Sequence, residues 1–243
     1  MGNVGNGEYI KDNIFLEARD LSFGYDEDRP LFHDVNMTVS GGEIVAVCGP
    51  SGYGKSTLCY CLSGIIPKVY EGFLSGKVFL YGEDIADLRL PQMVERLFMV
   101  FQEPSTQLFS PTIEDELCFA AENLCMERND MDAKLLAALR RAGIEQYRYF
   151  SPNKLSGGQQ QMVMMGASFV ISPKLYIFDE ALSQLDDDAR KQMLSIMVEL
   201  KEQGSAVLMI EHNRLNMRIA DRVLELKKGV LTEISKESLY QED

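Results

Sequence analysis

Three short stretches of the chain hold residue types that handle phosphate, divalent cations and water. The first is Gly49-Pro50-Ser51-Gly52-Tyr53-Gly54-Lys55-Ser56-Thr57, which fits G-x-x-x-x-G-K-[ST] between an apolar run and a helical pattern. Glycines there let successive backbone N–H groups turn toward one point, a nest for phosphate oxygens at the positive end of a helix. Lys55 reaches the outer phosphates in such a loop, and Ser56 offers its hydroxyl to Mg²⁺. The second stretch is Asp179-Glu180, directly after the apolar run Leu175 to Phe178. A carboxylate leaving the carboxyl end of a core strand sits where a parallel α/β sheet places its ligand chemistry, so Asp179 suits Mg²⁺ beside Ser56. Glu180, one residue on, suits polarising an attacking water. The plainer alternatives, a ligand-free glycine turn and a solvated acid pair, fit these surroundings less well.

The third stretch is Leu155-Ser156-Gly157-Gly158-Gln159, running into a Met-rich apolar segment. Ser156 and Gln159 have capping-box spacing, and the two glycines bare the backbone where a helix start presents N–H groups to an anion. Taken alone, this is equally an ordinary capped helix. Met162, Met164 and Met165 read as core packing, because thioethers fill irregular gaps.

The elements that position these stretches follow from periodicity. Phe15 to Ile44 alternates apolar and polar residues between turn signals, which predicts antiparallel strands. Ile44 to Cys48 is a buried strand feeding the glycine loop, and "KVFLYG" and "RLFMVF" read as further strands of an α/β core. From about 103 to 170 the pattern turns helical: Thr112 is an N-cap with acids in the first turn, and "MDAKLLAALRRAG" stops at Gly143. This predicts an inserted helical subdomain. The core resumes with strand "KLYIFD", a helix through "ARKQMLSIMVELKEQG", strand "AVLMI" and closing elements to Tyr240. The expected fold is one α/β domain with a P-loop NTPase core, an N-terminal antiparallel β subdomain and a helical insertion.

Composition narrows the partners. With 24 Lys+Arg against 37 Asp+Glu in 243 residues, the formal net charge is −13. Phosphate backbones need clustered basic residues, so a nucleic-acid partner is not expected. Five cysteines without a C-x-x-C pair fit a reducing compartment. The opening MGNVGNGEYIKDN has no signal-peptide core and no apolar run approaches 18 residues, so the expectation is a chain that neither is exported nor spans a membrane by itself.

Together the motifs, in this order, resemble the ATPase subunit of ATP-binding cassette (ABC) transporters, whose LSGGQ signature stands here at Leu155 to Gln159. The resemblance covers nearly the whole chain. It implies ATP with Mg²⁺ as cofactors and head-to-tail pairing with a second ATPase subunit, identical or related, in which one subunit's signature (Ser156, Gly157, Gly158, Gln159) closes over the other's ATP. It implies that Tyr25 stacks on adenine, that Gln102 touches Mg²⁺ and the attacking water, that His212 contacts the γ-phosphate, and that residues 181–186 cross the dimer interface with Asp186 as their acid. An ordinary strand tyrosine is a rival for Tyr25. His33, beside a turn, reads as polar surface. Ala181, Gln184 and Asn213 depart from the family's more usual proline, alanine and aspartate.

The segment "VFQEPSTQLFSPTIEDELCFAAEN" is similar to the energy-coupling-factor branch, the uptake systems for vitamins and metal ions. That implies a transmembrane scaffold, a substrate-capture membrane protein, and a peripheral place on the cytoplasmic face of the membrane. The stretch from Gln107 to Phe119 offers Leu108, Phe109, Ile113 and Leu117 beside Glu114, Asp115 and Glu116, a composition that suits a groove for a partner helix. Ile113 and Leu117 fit internal packing equally well, and Phe109 is the better candidate for exposure. The alternatives are a soluble, non-transport ABC-type ATPase and a small-molecule P-loop kinase, which has no use for LSGGQ or His212.

Overall fold

A computed structural model describes residues 13–237; Tyr240 and most of the opening segment lie outside the described residues. Two sheets organise the chain. In the first, β1 (Ile14–Gly24), β2 (Phe32–Ser40), β4 (Phe73–Leu80) and the short β5 (Glu83–Asp84) run antiparallel in the order β2-β1-β4-β5. The second has the order β10-β9-β3-β8-β7-β6, built from β3 (Ile44–Cys48), β6 (Leu97–Val100), β7 (Leu175–Asp179), β8 (Ala206–Ile210), β9 (Arg222–Lys227) and β10 (Val230–Ile234). All its pairings are parallel except β9 with β10.

The antiparallel pairing of β1 with β2 is as the alternation predicts. "KVFLYG" is a strand as expected but belongs to the antiparallel sheet, not to the α/β core, with Ala18 facing Val78 and Leu16 facing Leu80. A short strand with one buried face fits either sheet; the partner is chosen by long-range register, which local pattern does not carry.

The parallel strands are apolar throughout because both faces are covered. Ile44, Ala46, Tyr176, Phe178, Val207 and Met209 join one apolar layer with α4 (Ile113–Asn123), α5 (Arg128–Arg141), α6 (Gly157–Ile171) and α7 (Asp187–Glu202). Val45, Val47, Ile177, Leu208 and Ile210 join the other, with α1 (Lys55–Leu62) and the antiparallel sheet. Two short helices, α2 (Ile65–Lys68) and α3 (Leu90–Val94), lie between β3 and β6 in the chain. Thr112 caps α4 as predicted, its hydroxyl accepting from the Asp115 N–H at 3.2 Å. Helix α6 is buried from Gln161 to Val170, so its methionines are core residues.

Arg141, in the last turn of α5, ties three helices together. Its guanidinium lies 4.0 Å from the Phe169 ring centroid on α6 and 2.9 Å from a Glu199 carboxylate oxygen on α7. The planar cation stacks on the ring, which an ammonium does less well. Arg141→Lys is therefore expected to lower unfolding free energy by about 0.5–1 kcal/mol despite keeping the charge, read from the urea midpoint.

Candidate functional site

β3 ends at Cys48 and the chain turns at once through Gly49, whose φ is +136°. A Cβ there would stand 2.2 Å from the Leu226 carbonyl oxygen of β9, so only glycine passes. Gly54, at φ +91°, is the N-cap of α1 and packs against Leu31. The loop from Gly49 to Ser56 thus leaves α1's first amides open at the carboxyl edge of the sheet. Lys55 is buried, and its Nζ donates to the carbonyls of Gly49 (3.0 Å) and Pro50 (2.9 Å). Burial lowers its pKa, opposed by the carboxylates of Glu180 and Asp179. Tyr25 is 59 % exposed, its hydroxyl 3.3 Å from Thr57 Oγ1 and its ring edge-on to Phe23, so a broad aromatic face stands free beside the loop.

Asp179 and Glu180 leave the end of β7. The Ser56 hydroxyl donates to Asp179 Oδ1 at 2.9 Å, which puts a hydroxyl and a carboxylate side by side. No group of three or more His, Cys, Asp or Glu among the described residues is arranged to hold a metal ion. This donor pair fits Mg²⁺, which takes one or two protein oxygens and fills the rest of its shell with phosphate and water. Burial pushes Asp179 up to about 6, aided by Glu180 and opposed by the Ser56 hydrogen bond and Lys55. Glu180 has φ +51°, a left-handed backbone on a residue with a Cβ. Its Oε1 lies 2.6 Å from Nε2 of His212, which follows the end of β8. The two groups sequence assigns to water and phosphate are therefore already paired.

The turn carrying His212 is organised by a residue the sequence reading missed. Glu211 is buried; its Oε1 accepts from the backbone N–H groups of His212 (2.7 Å) and Asn213 (2.8 Å), and its Oε2 from Asn216 Nδ2 (2.8 Å). Asn213, the departure from aspartate, accepts from the Leu215 N–H at 2.9 Å, a local turn bond that either residue makes. Gln102 follows β6 and is exposed. It lines a cleft of about 610 Å³ with Ser56, Asp179, Tyr60, Tyr70 and Phe101.

The segment beyond Gln102 corrects the expected acidic rim. Glu116 is buried and its Oε2 accepts from the N–H groups of Phe109 (3.0 Å) and Ser110 (2.8 Å). Glu114 is bound bidentately by Arg148 at 2.6 and 3.0 Å. Leu108, Ile113 and Leu117 are core residues, which leaves Phe109, 65 % exposed, with Phe119 at 4.6 Å between ring centroids.

At the signature the predicted capping box is formed. Ser156 Oγ accepts from the Gln159 N–H (3.3 Å), Gln159 Oε1 accepts from the Ser156 N–H (2.9 Å), and Gln159 Nε2 donates to the Tyr147 hydroxyl (3.0 Å). Gly157 faces open space. Ser156, Gly158 and Gln159 line a cavity of about 320 Å³ together with Asp186. None of that lining comes from the phosphate loop, and no signature residue lines the cleft beside Ser56. Asp186 caps α7, accepting from the Ala189 N–H at 2.8 Å, and Gln161 Nε2 donates to the Ala181 carbonyl at 3.0 Å.

A glycine phosphate loop under a parallel sheet, with a hydroxyl–carboxylate pair and a glutamate–histidine pair at adjoining strand ends, defines a P-loop ATPase. The ABC transporter family model matches residues 32–183, and the chain belongs to that family. The energy-coupling factor transporter ATP-binding protein EcfA1 of Levilactobacillus brevis is 37 % identical over 92 % of this chain and 79 % of its own length. EcfA of Methanosarcina acetivorans is 34 % identical over 88 % and 77 %. The chain spans only 38 % and 34 % of the length of two ABC transporter ATP-binding proteins from Methanosarcina mazei and M. acetivorans, each 36 % identical. The solved structure of CbiO1 from Clostridium perfringens, part of the ABC transporter complex cbiONQ, aligns at TM-score 0.83 and 26 % identity, covering 95 % of this chain and 92 % of that one.

The raised pKa of Asp179 carries a sign. Its ionisation is harder in the folded chain, so between about pH 4 and about pH 6 stability falls as pH rises. Without nucleotide and Mg²⁺, Asp179→Asn is expected to melt higher than the native chain above pH 7, with the gain vanishing toward about pH 4. Thermal melts across that range check it.

Proposed function

We propose that this ATPase powers an energy-coupling-factor type importer of a vitamin or metal ion by pairing head to tail with an identical or related ATPase. The observation carrying this reading is the separation of the two half-sites. The signature helix start is capped yet open, and its cavity shares no residue with the cleft at its own phosphate loop. An anion-binding helix start with no anion site of its own is one that serves a second molecule.

In the paired state, Tyr25 receives the adenine, residues 49–57 and Lys55 hold the phosphates, and Ser56, Asp179 and Gln102 meet Mg²⁺. The partner's Ser156, Gly157, Gly158 and Gln159 approach the γ-phosphate. Glu180 takes the proton of the attacking water while His212 contacts the γ-phosphate. Residues 103–170 act as the helical unit facing a transmembrane scaffold that also carries the substrate-capture protein. None of the helices among the described residues is long and apolar enough to cross a membrane, which fits a peripheral position on the cytoplasmic face. The energy-coupling factor transporter names of these relatives favour transport over the kinase or soluble alternatives.

Glu180→Gln is expected to bind ATP but to hydrolyse it at least ~10²-fold more slowly, the size of a lost general base, and to accumulate as an ATP-bound dimer in light scattering. Turnover near the native rate rejects the role. Phe109→Asp is expected to keep fold and ATP affinity but to fall out of membrane fractions that retain the native chain. Recovery of the scaffold at native yield with that variant rejects the docking surface.

A further inference from the structure

Between β6 and α4 the backbone has no strand partner and only one 3₁₀ turn, and two side chains hold it. Gln107 folds back onto the end of β6: its Oε1 accepts from the Phe101 N–H and its Nε2 donates to the Met99 carbonyl, both at 3.0 Å. Its amide thereby replaces a neighbouring strand, satisfying one donor and one acceptor where the ladder stops. At the other end Glu116 fixes the amides of Phe109 and Ser110, with Leu108 buried between the two clamps. Inside this frame the short turn Pro104–Thr106 is closed by the Thr106 hydroxyl on the Glu103 carbonyl at 2.7 Å. Gln102 is the exposed residue next to Phe101, in the cleft shared with Ser56 and Asp179.

We propose that Gln107 is a positioning residue for Gln102, closing residues 101–107 into a rigid loop whose open side presents the Gln102 amide to the cleft. Glu116 anchors the same segment where Phe109 emerges, so the loop and the exposed aromatic pair move as one piece. A glutamine held only by its own backbone would sample many rotamers; with the peptide units on either side of Val100 pinned through the Met99 carbonyl and the Phe101 N–H, the chain enters Gln102 from a fixed direction. The proposal rests on Gln102 meeting the cation and the attacking water in the ATP-bound state.

The test is a double-mutant cycle on the full chain, using single-turnover hydrolysis of Mg-ATP. Gln107→Leu is expected to slow hydrolysis about tenfold or more while changing the KM for ATP by no more than about twofold. In a Gln102→Ala background the same substitution is expected to change nothing further, because the group being positioned is already gone. Gln107→Glu matches the volume and keeps the acceptor for the Phe101 N–H. It is expected to slow hydrolysis less than Gln107→Leu with the same lack of additivity, and it stands in if the leucine variant fails to fold. A Gln107→Leu rate equal to the native chain, or losses that add to those of Gln102→Ala, overturns the positioning role alone. A native rate in Gln102→Ala overturns the reading of Gln102 and the proposal with it.

Discussion

A strand buried on both faces meets solvent only at its ends, and that constraint arranges the whole site. β3, β6, β7 and β8 are parallel, so their carboxyl ends open at one edge of the sheet. Each end carries one part of the proposed site: the phosphate loop after Cys48, Gln102 beyond Val100, Asp179 and Glu180 at the end of β7, and His212 beyond Ile210. Apolar layers above and below fix the strands against one another, and four loops distant in sequence are thereby held together at one edge of the sheet. The antiparallel sheet and the helical layer matter to the site chiefly as the covers that make this burial complete.

The residues that leave the strand ends fall into two kinds. Ser56, Asp179 and Gln102 line the cleft, and Tyr25 keeps an exposed ring beside the phosphate loop. Glu211, Glu116 and Gln107 spend their side chains on backbone amides and carbonyls. A carboxylate taking two N–H donors at a buried turn is a charge-assisted pair of bonds and fixes the loop more firmly than packing alone. Two of the candidate side chains, His212 and Gln102, thus hang from turns whose backbone a second polar residue has locked.

The first kind was legible in the sequence and the second was not, for a physical reason. The phosphate loop and the capping box place their partners within a few residues, so type and spacing carry the geometry, and the acid pair is marked by its place directly after a fully apolar run. Glu116 and Glu114 look alike in a helical first turn, yet one is buried on the amides of Phe109 and Ser110 and the other is paired with Arg148. Which acid faces inward depends on how residues 107–111 return to α4, and that is settled by packing. Glu211 offered a faint signal, a charge directly after the fully apolar run of β8; the donors it serves belong to the following turn. The misplaced "KVFLYG" strand has the same origin, since sheet membership is a property of the partner and not of the strand.

Glu180 shows what the chemistry asks of the backbone. At φ +51° the chain adopts a conformation that disfavours every side chain with a Cβ, by roughly 1–2 kcal/mol relative to the right-handed form. Glycine there would relax the turn, and asparagine would sit in it more easily than glutamate. If Glu180 is the base proposed above, selection for thermal endurance alone leads away from glutamate at this position, toward a sturdier chain that still binds nucleotide and no longer turns it over. On that reading the strained acid is kept by its work and not by the fold.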